Sequence, residues 1–156
     1  MEKIYQIKRI YTKKTSFYNA AEMPINRHKR WIFKELSEMI KVLFICHGNI
    51  CRSTMSEYVM KYLTDQAGVA SEFYIDSAAT SREEIGNGVH HGTRQKLKEV
   101  GIPCGNHRAR QMMRRDYEEF DYIIGMDAWN IRNIMRIIGS DPEKKVSMLL
   151  DFTDRP

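Results

Sequence analysis

Val42-Leu43-Phe44-Ile45-Cys46-His47-Gly48-Asn49-Ile50-Cys51-Arg52-Ser53-Thr54-Met55-Ser56-Glu57 is the stretch whose reading decides the fold. Val42 to Ile45 is apolar without alternation, the pattern of a central parallel strand covered on both faces. From Thr54 the spacing becomes helical, with Met55, Tyr58, Val59, Tyr62 and Leu63 on one stripe and Gly68 as the stop. Thr54 and Glu57 match a capping box, so the helix is expected to begin within a residue or two of Ser53. The order strand, tight loop, helix predicts an α/β domain.

Between strand and helix stand a cysteine, five residues and an arginine. A loop running into a helix N-terminus turns backbone N–H groups and the positive end of the helix dipole towards one spot, which suits a phosphate-sized anion. Thiols held there beside arginine become nucleophilic thiolates, so Cys46 is the candidate nucleophile. Arg52 can grip two phosphoryl oxygens as a planar fork, a geometry lysine lacks. Gly48 and Asn49 are the residue types that let the loop curl through uncommon backbone angles. Ser53 is placed to cap the helix and to offer its hydroxyl to Cys46. The amides from His47 to Ser53, through Gly48, Asn49, Ile50 and Cys51, form the expected phosphate cradle. His47 itself reads either as a group that tunes the thiolate or selects ligands, or as an outward-pointing side chain.

A Cys-x5-Arg spacing alone is unspecific. In this context CHGNICRS resembles the signature of the low-molecular-weight protein tyrosine phosphatases. The likeness continues through Asp76-Ser77-Ala78-Ala79-Thr80, Glu84-Ile85-Gly86-Asn87, Gly101-Ile102-Pro103, His107-Arg108-Ala109-Arg110-Gln111 and Phe120-Asp121-Tyr122-Ile123-Ile124-Gly125-Met126-Asp127. It implies a single domain with a four-stranded parallel sheet and helices on both faces. It also implies a cysteinyl-phosphate mechanism acting on phosphotyrosine proteins or peptides and small aryl phosphates. In that family a histidine supports the loop asparagine, so His107 is assigned to Asn49. Relatives often carry an aromatic residue where this chain has Glu83, so Glu83 reads as a pocket wall that repels acidic peptides, or as a solvated carboxylate. Cys51 is close enough in the loop to form a reversible disulfide with Cys46.

The chain of 156 residues is long enough for one domain with a real core. Its formal charge of +5 is unevenly placed: the first 38 residues hold nine Lys or Arg and four Glu, leaving sixteen of each sign in the rest. The basic balance therefore belongs to the leader and is no nucleic-acid signal for the domain. Residues 1–38 read as a basic arm, as a poorly ordered tail, or as sequence ahead of a start at Met39, the reading favoured here. The domain then spans 39–156. No apolar run reaches a membrane span and no signal peptide is evident, so a cytoplasmic protein is expected. Three cysteines, two of them in one loop, do not make a disulfide framework, and no metal-ligand cluster or cofactor motif appears.

Downstream, strands are expected at Glu72–Ala79, Tyr122–Met126 and Val146–Leu150. Helices are expected at about Gly92–Val100, at Asp116–Phe120 and from Asp127, the last with Ile131, Ile134, Met135 and Ile138 as its core face. His90 and His91 read as surface or capping residues.

The departing alkoxide or phenolate needs a proton, which the resembling family takes from an Asp-Pro-aromatic segment after the fourth strand. This sequence has none there. Asp141-Pro142 precedes that strand, and Asp151 and Asp154 lack the motif. The chain is read as a fragment or a natural truncation that favours good leaving groups. Arginine phosphatases usually carry threonine at the position of Ile50, and arsenate reductases need a cysteine pair where only Cys104 is available. A non-catalytic phosphoanion-binding module is the alternative from another class.

Overall fold

A computed structural model describes residues 39–153. The leader and Asp154 lie outside the described residues, and with them the expectations placed there. The element order is β1 (Ile40–Cys46), α1 (Arg52–Gln66), a 3₁₀ turn (Ala70–Glu72), β2 (Phe73–Ala79), α2 (His91–Glu99), α3 (Arg114–Glu119), β3 (Tyr122–Gly125), α4 (Ala128–Ile138), β4 (Val146–Met148) and a second 3₁₀ turn (Leu149–Phe152).

The four strands form one all-parallel sheet in the order β2-β1-β3-β4. β1 is central, and Val42, Leu43 and Ile45 are fully buried, which is why its sequence shows no alternation. Its side chains divide between two cores. Val42 and Phe44 face Met60 of α1 together with Phe73, Ile75 and Phe152. Leu43 and Ile45 face Met112, Tyr117 of α3 and Ile134 and Ile138 of α4. Helices thus cover both faces. Arg110 ties the layers: its guanidinium bonds the carboxylates of Asp76 on β2 (2.8 Å) and Asp116 on α3 (3.1 Å).

Several boundaries differ from expectation for local reasons. α3 starts at Arg114 because the Asp116 carboxylate turns back to accept from the Met113 amide at 2.7 Å. β4 ends at Met148, where Asp151 accepts the strand's last amide at 2.8 Å and the chain winds into a 3₁₀ turn. α1 departs most. The residues it buries are Ser53, Thr54, Glu57, Met60 and Thr64, while the apolar stripe from Met55 to Leu63 is only half-buried. Its polar inner face is partnered: Thr54 donates to the Cys51 carbonyl (2.8 Å), and Thr64 to that of Met60 (3.0 Å). The expected capping box does not form, because Glu57 is drawn into the site below.

Among the described residues no helix is long and apolar enough to cross a membrane, and no cluster of His, Cys, Asp or Glu could hold a metal ion.

Candidate active site

Cys46 ends β1 at the carboxyl edge of the sheet, opposite Ala79 of β2. The chain then curls through His47 to Cys51 and enters α1. Asn49 makes the sharp part of the curl with φ of 58°, the left-handed region that asparagine visits more readily than most residues. Gly48 has no positive φ. A Cβ there would lie 3.0 Å from Glu84 Cγ, so a larger residue would make the Glu84 side chain give way. The β2 ladder continues into the loop. Thr80 and Ser81 amides donate to the Cys46 and His47 carbonyls at 2.9 and 3.0 Å, and the His90 amide donates to Ile50 at 2.9 Å.

Cys46 is buried at the floor of this loop. Its Sγ accepts the Asn49 amide at 3.3 Å and lies 3.1 Å from Ser53 Oγ. Among the described residues the amides of Gly48, Ile50 and Cys51 donate to no protein acceptor. They are available to an anion, as are the first amides of α1, which have no intrahelical partner.

Hydrogen-bond counting fixes the proton positions around the sulfur. Asn49 is fully buried, and its Oδ1 accepts from the Arg110 amide at 3.1 Å, so the other atom is the amide nitrogen. That nitrogen donates to Ser53 Oγ (3.0 Å) and Ser77 Oγ (2.7 Å). Ser53 thus accepts from Asn49 and keeps its own hydrogen for Cys46 Sγ. Its side chain serves the sulfur and does not cap the helix, which begins after Cys51 with no side-chain cap. Ser77 donates onward to Glu57 Oε2 at 2.5 Å, and Lys61 neutralises that carboxylate through Oε1 at 2.5 Å. His107 Nε2 meets the Asn49 carbonyl at 2.7 Å, and since a carbonyl only accepts, Nε2 carries the proton. Its Nδ1 faces Glu57 Oε2 at 4.0 Å.

Arg52 is exposed at the first position of α1, and its Nη1 bonds Asp127 Oδ2. The carboxylate holding it stands at the N-cap of α4, where Oδ1 accepts the Asn130 amide at 2.7 Å. Burial pushes the Asp127 carboxyl up, but the Arg52 guanidinium and the helix amides outweigh it, so its pKa is lowered. At the rim His47 points outward and its Nε2 lies 3.1 Å from Glu83 Oε2, both side chains exposed. Cys51 is the N-cap residue of α1, and all three cysteines are unpaired thiols.

Every residue singled out in the cradle therefore gathers at one end of β1, with His107 beneath Asn49 and Glu83 on the rim. Asp127, Glu57 and Ser77 were missed as site residues. Asp127 read only as a helix cap, although a carboxylate just past the end of a strand next to β1 was a usable signal. Asp141 is occupied elsewhere, accepting from Tyr117 Oη and the amides of Lys145 and Val146.

A family model described as low molecular weight phosphotyrosine protein phosphatase matches residues 41–156. The chain belongs to that family. This phosphatase is 40% identical over 116 residues to the low molecular weight protein-tyrosine-phosphatase YfkJ of Bacillus subtilis, covering 74% of each chain. It is 43% identical over 95 residues to the human low molecular weight phosphotyrosine protein phosphatase, covering 61% of this chain and 60% of that one. The crystal structure of YfkJ superposes with a TM-score of 0.75 at 38% identity, over 78% of this chain and 76% of that one. The phosphatase from Streptococcus pyogenes gives 0.65 at 39% identity, over 70% and 71%. The chain is thus a protein-tyrosine phosphatase of the low-molecular-weight class.

Proposed function

We propose that the chain hydrolyses phosphotyrosine in proteins or peptides, and small aryl phosphates, through a cysteinyl-phosphate formed on Cys46. The observation that carries this reading is the thiol of Cys46, held by one amide and one hydroxyl beneath amides that have no other acceptor. Cys46 Sγ attacks phosphorus while the bond to the phenolic oxygen breaks. The amides from His47 to Ser53 and the Arg52 guanidinium take the charge that develops on the phosphoryl oxygens. The hydroxyl of Ser53 steadies the sulfur as leaving group when water hydrolyses the intermediate, leaving inorganic phosphate and the free thiolate. Asn49 and His107 hold the loop in shape, and Glu83 walls the mouth.

Asp151 accepts a backbone amide, and Asp154 is outside the described residues, so neither is assigned as proton donor. The domain bearing the activity is 39–156, supported by the family match over 41–156. Unpaired thiols suit a reducing, cytoplasmic setting.

Rapid mixing with 4-nitrophenyl phosphate tests the mechanism. A burst of nitrophenol with one phosphoryl group on Cys46, found by mass spectrometry of the quenched protein, is expected. Full activity in Cys46→Ser would overturn it.

A further inference from the structure

Cys46 ends the middle one of three adjacent strands, so the segments that follow β2 and β3 flank the cradle on opposite sides. The β2 side carries Glu83 and Glu84. The β3 side leads into α4, whose cap residue Asp127 meets Arg52 and whose eleven residues include no acid. Residues three and four apart share a helix face, which places Trp129, Arg132 and Arg136 in one row. That row lies opposite the buried Asn130, Ile134 and Ile138.

The row is solvated. Trp129 is 68% exposed, the Arg132 guanidinium lies 5.5 Å from the centre of its ring, and Arg136 bonds only the Asn133 side-chain oxygen at 3.2 Å. Among the described residues neither arginine has a carboxylate partner. An indole left in water contributes little to the fold. An indole with a guanidinium against its face, continued by a second cation, has the composition of a binding hot spot.

We infer that Trp129, Arg132 and Arg136 form a docking strip for the acidic flank of a phosphotyrosyl segment. The inference rests on the phosphatase reading above and adds which peptides the site prefers. With the phosphate in the cradle, the residues beside it cross the first turn of α4. Their side chains pack on the Trp129 ring, and their carboxylates meet the two arginines. From Trp129 to Arg136 the helix rises about 10 Å, roughly the span of three extended residues. Glu83 and Glu84 on the other side repel the same carboxylates, so the peptide takes one direction across the mouth.

The test compares two phosphotyrosyl peptides that differ only in a flanking run of three glutamates or three glutamines. The wild-type chain is expected to show kcat/KM about three- to tenfold higher for the acidic peptide, the worth of two exposed ion pairs. The difference should lie in KM and fade at high salt. In R132Q/R136Q the ratio falls to near one, and in R132E/R136E it inverts. W129A raises KM for both peptides. Equal kcat/KM for the two peptides in the wild type, or a preference that survives charge reversal, overturns the strip. A single-stranded oligonucleotide that competes as well as the acidic peptide overturns the assignment to peptide. Turnover of 4-nitrophenyl phosphate, which has no flank, separates the two readings: its absence sinks the phosphatase mechanism, whereas its presence with equal peptides sinks only the strip.

Discussion

At the scale of single residues, the guanidinium of Arg52 and the carboxylate of Asp127 form the contact with the most consequences. Arg52→Lys keeps the charge but loses the planar fork. Its kcat/KM for 4-nitrophenyl phosphate should fall about 10²- to 10³-fold, the usual loss when a donor to the transition state is removed. Asp127→Asn preserves the helix cap, since asparagine caps as well as aspartate, and removes only the ion pair. The Asp127 pKa is lowered in the folded chain, so the stability it gives is complete above the ordinary carboxylate range and is lost as pH falls through the lowered value. Urea midpoints measured at about pH 6 and about pH 3 should therefore fall further for wild type than for Asp127→Asn.

Cys51 invites a different measurement at the same scale. Peroxide is expected to convert the Cys46 sulfur to a sulfenic acid, from which the Cys51 thiol is proposed to displace water and give a disulfide. Dithiothreitol should restore peroxide-treated wild type. Cys51→Ser, with no second thiol in the loop, should recover much less activity, and equal recovery would count against the pairing.

At the scale of elements, the join between β3 and α4 sets where Asp127 stands. Gly125 closes β3, and a Cβ there would lie 2.9 Å from Ile131 Cδ1 and 3.3 Å from Asn130 Cβ. Gly125→Ala should cost about 1 to 3 kcal/mol by overpacking, and it should weaken turnover by shifting the N-terminus of α4. Adding Ile131→Val removes the nearest methyl. The double variant should recover part of the loss in thermal unfolding.

Legibility also divides at this scale. β1, the loop and the start of α1 were readable because strand, anion loop and helix follow one another in the chain. The face of α1 was misread because Glu57 turns inward to Ser77, twenty residues on, and no local periodicity contains that contact. Asp127 was recognised as a cap from its own neighbourhood. Its partner Arg52 lies 75 residues earlier, and only the sheet order brings the two together. Of the two residues expected to curl the loop, Asn49 alone takes a positive φ, while a Cβ on Gly48 would press on the Glu84 side chain, a neighbour 36 residues on that local sequence does not reveal.

At the scale of the whole molecule, the basic leader and the domain are proposed to be separable. A chain beginning at Met39 is expected to keep the turnover and thermal stability of the full sequence, and intact-mass measurement on native protein would show which start is used. A large loss of stability in the shorter chain would instead join residues 1–38 to the fold. The central strand supports this proposal: β1 obtains both of its neighbours, β2 and β3, from within 39–153.

One carboxamide links nearly all of this. Asn49 holds Ser53 of α1, Ser77 of β2 and the backbone of Arg110, partners up to 61 residues away from it along the chain. The anion loop consequently cannot take shape ahead of the sheet. Its assembly is expected to coincide with folding of the sheet, and inorganic phosphate seated in it should raise the melting temperature of the entire domain, by a free energy that grows as RT ln(1 + [L]/Kd), with no local softening to be seen first.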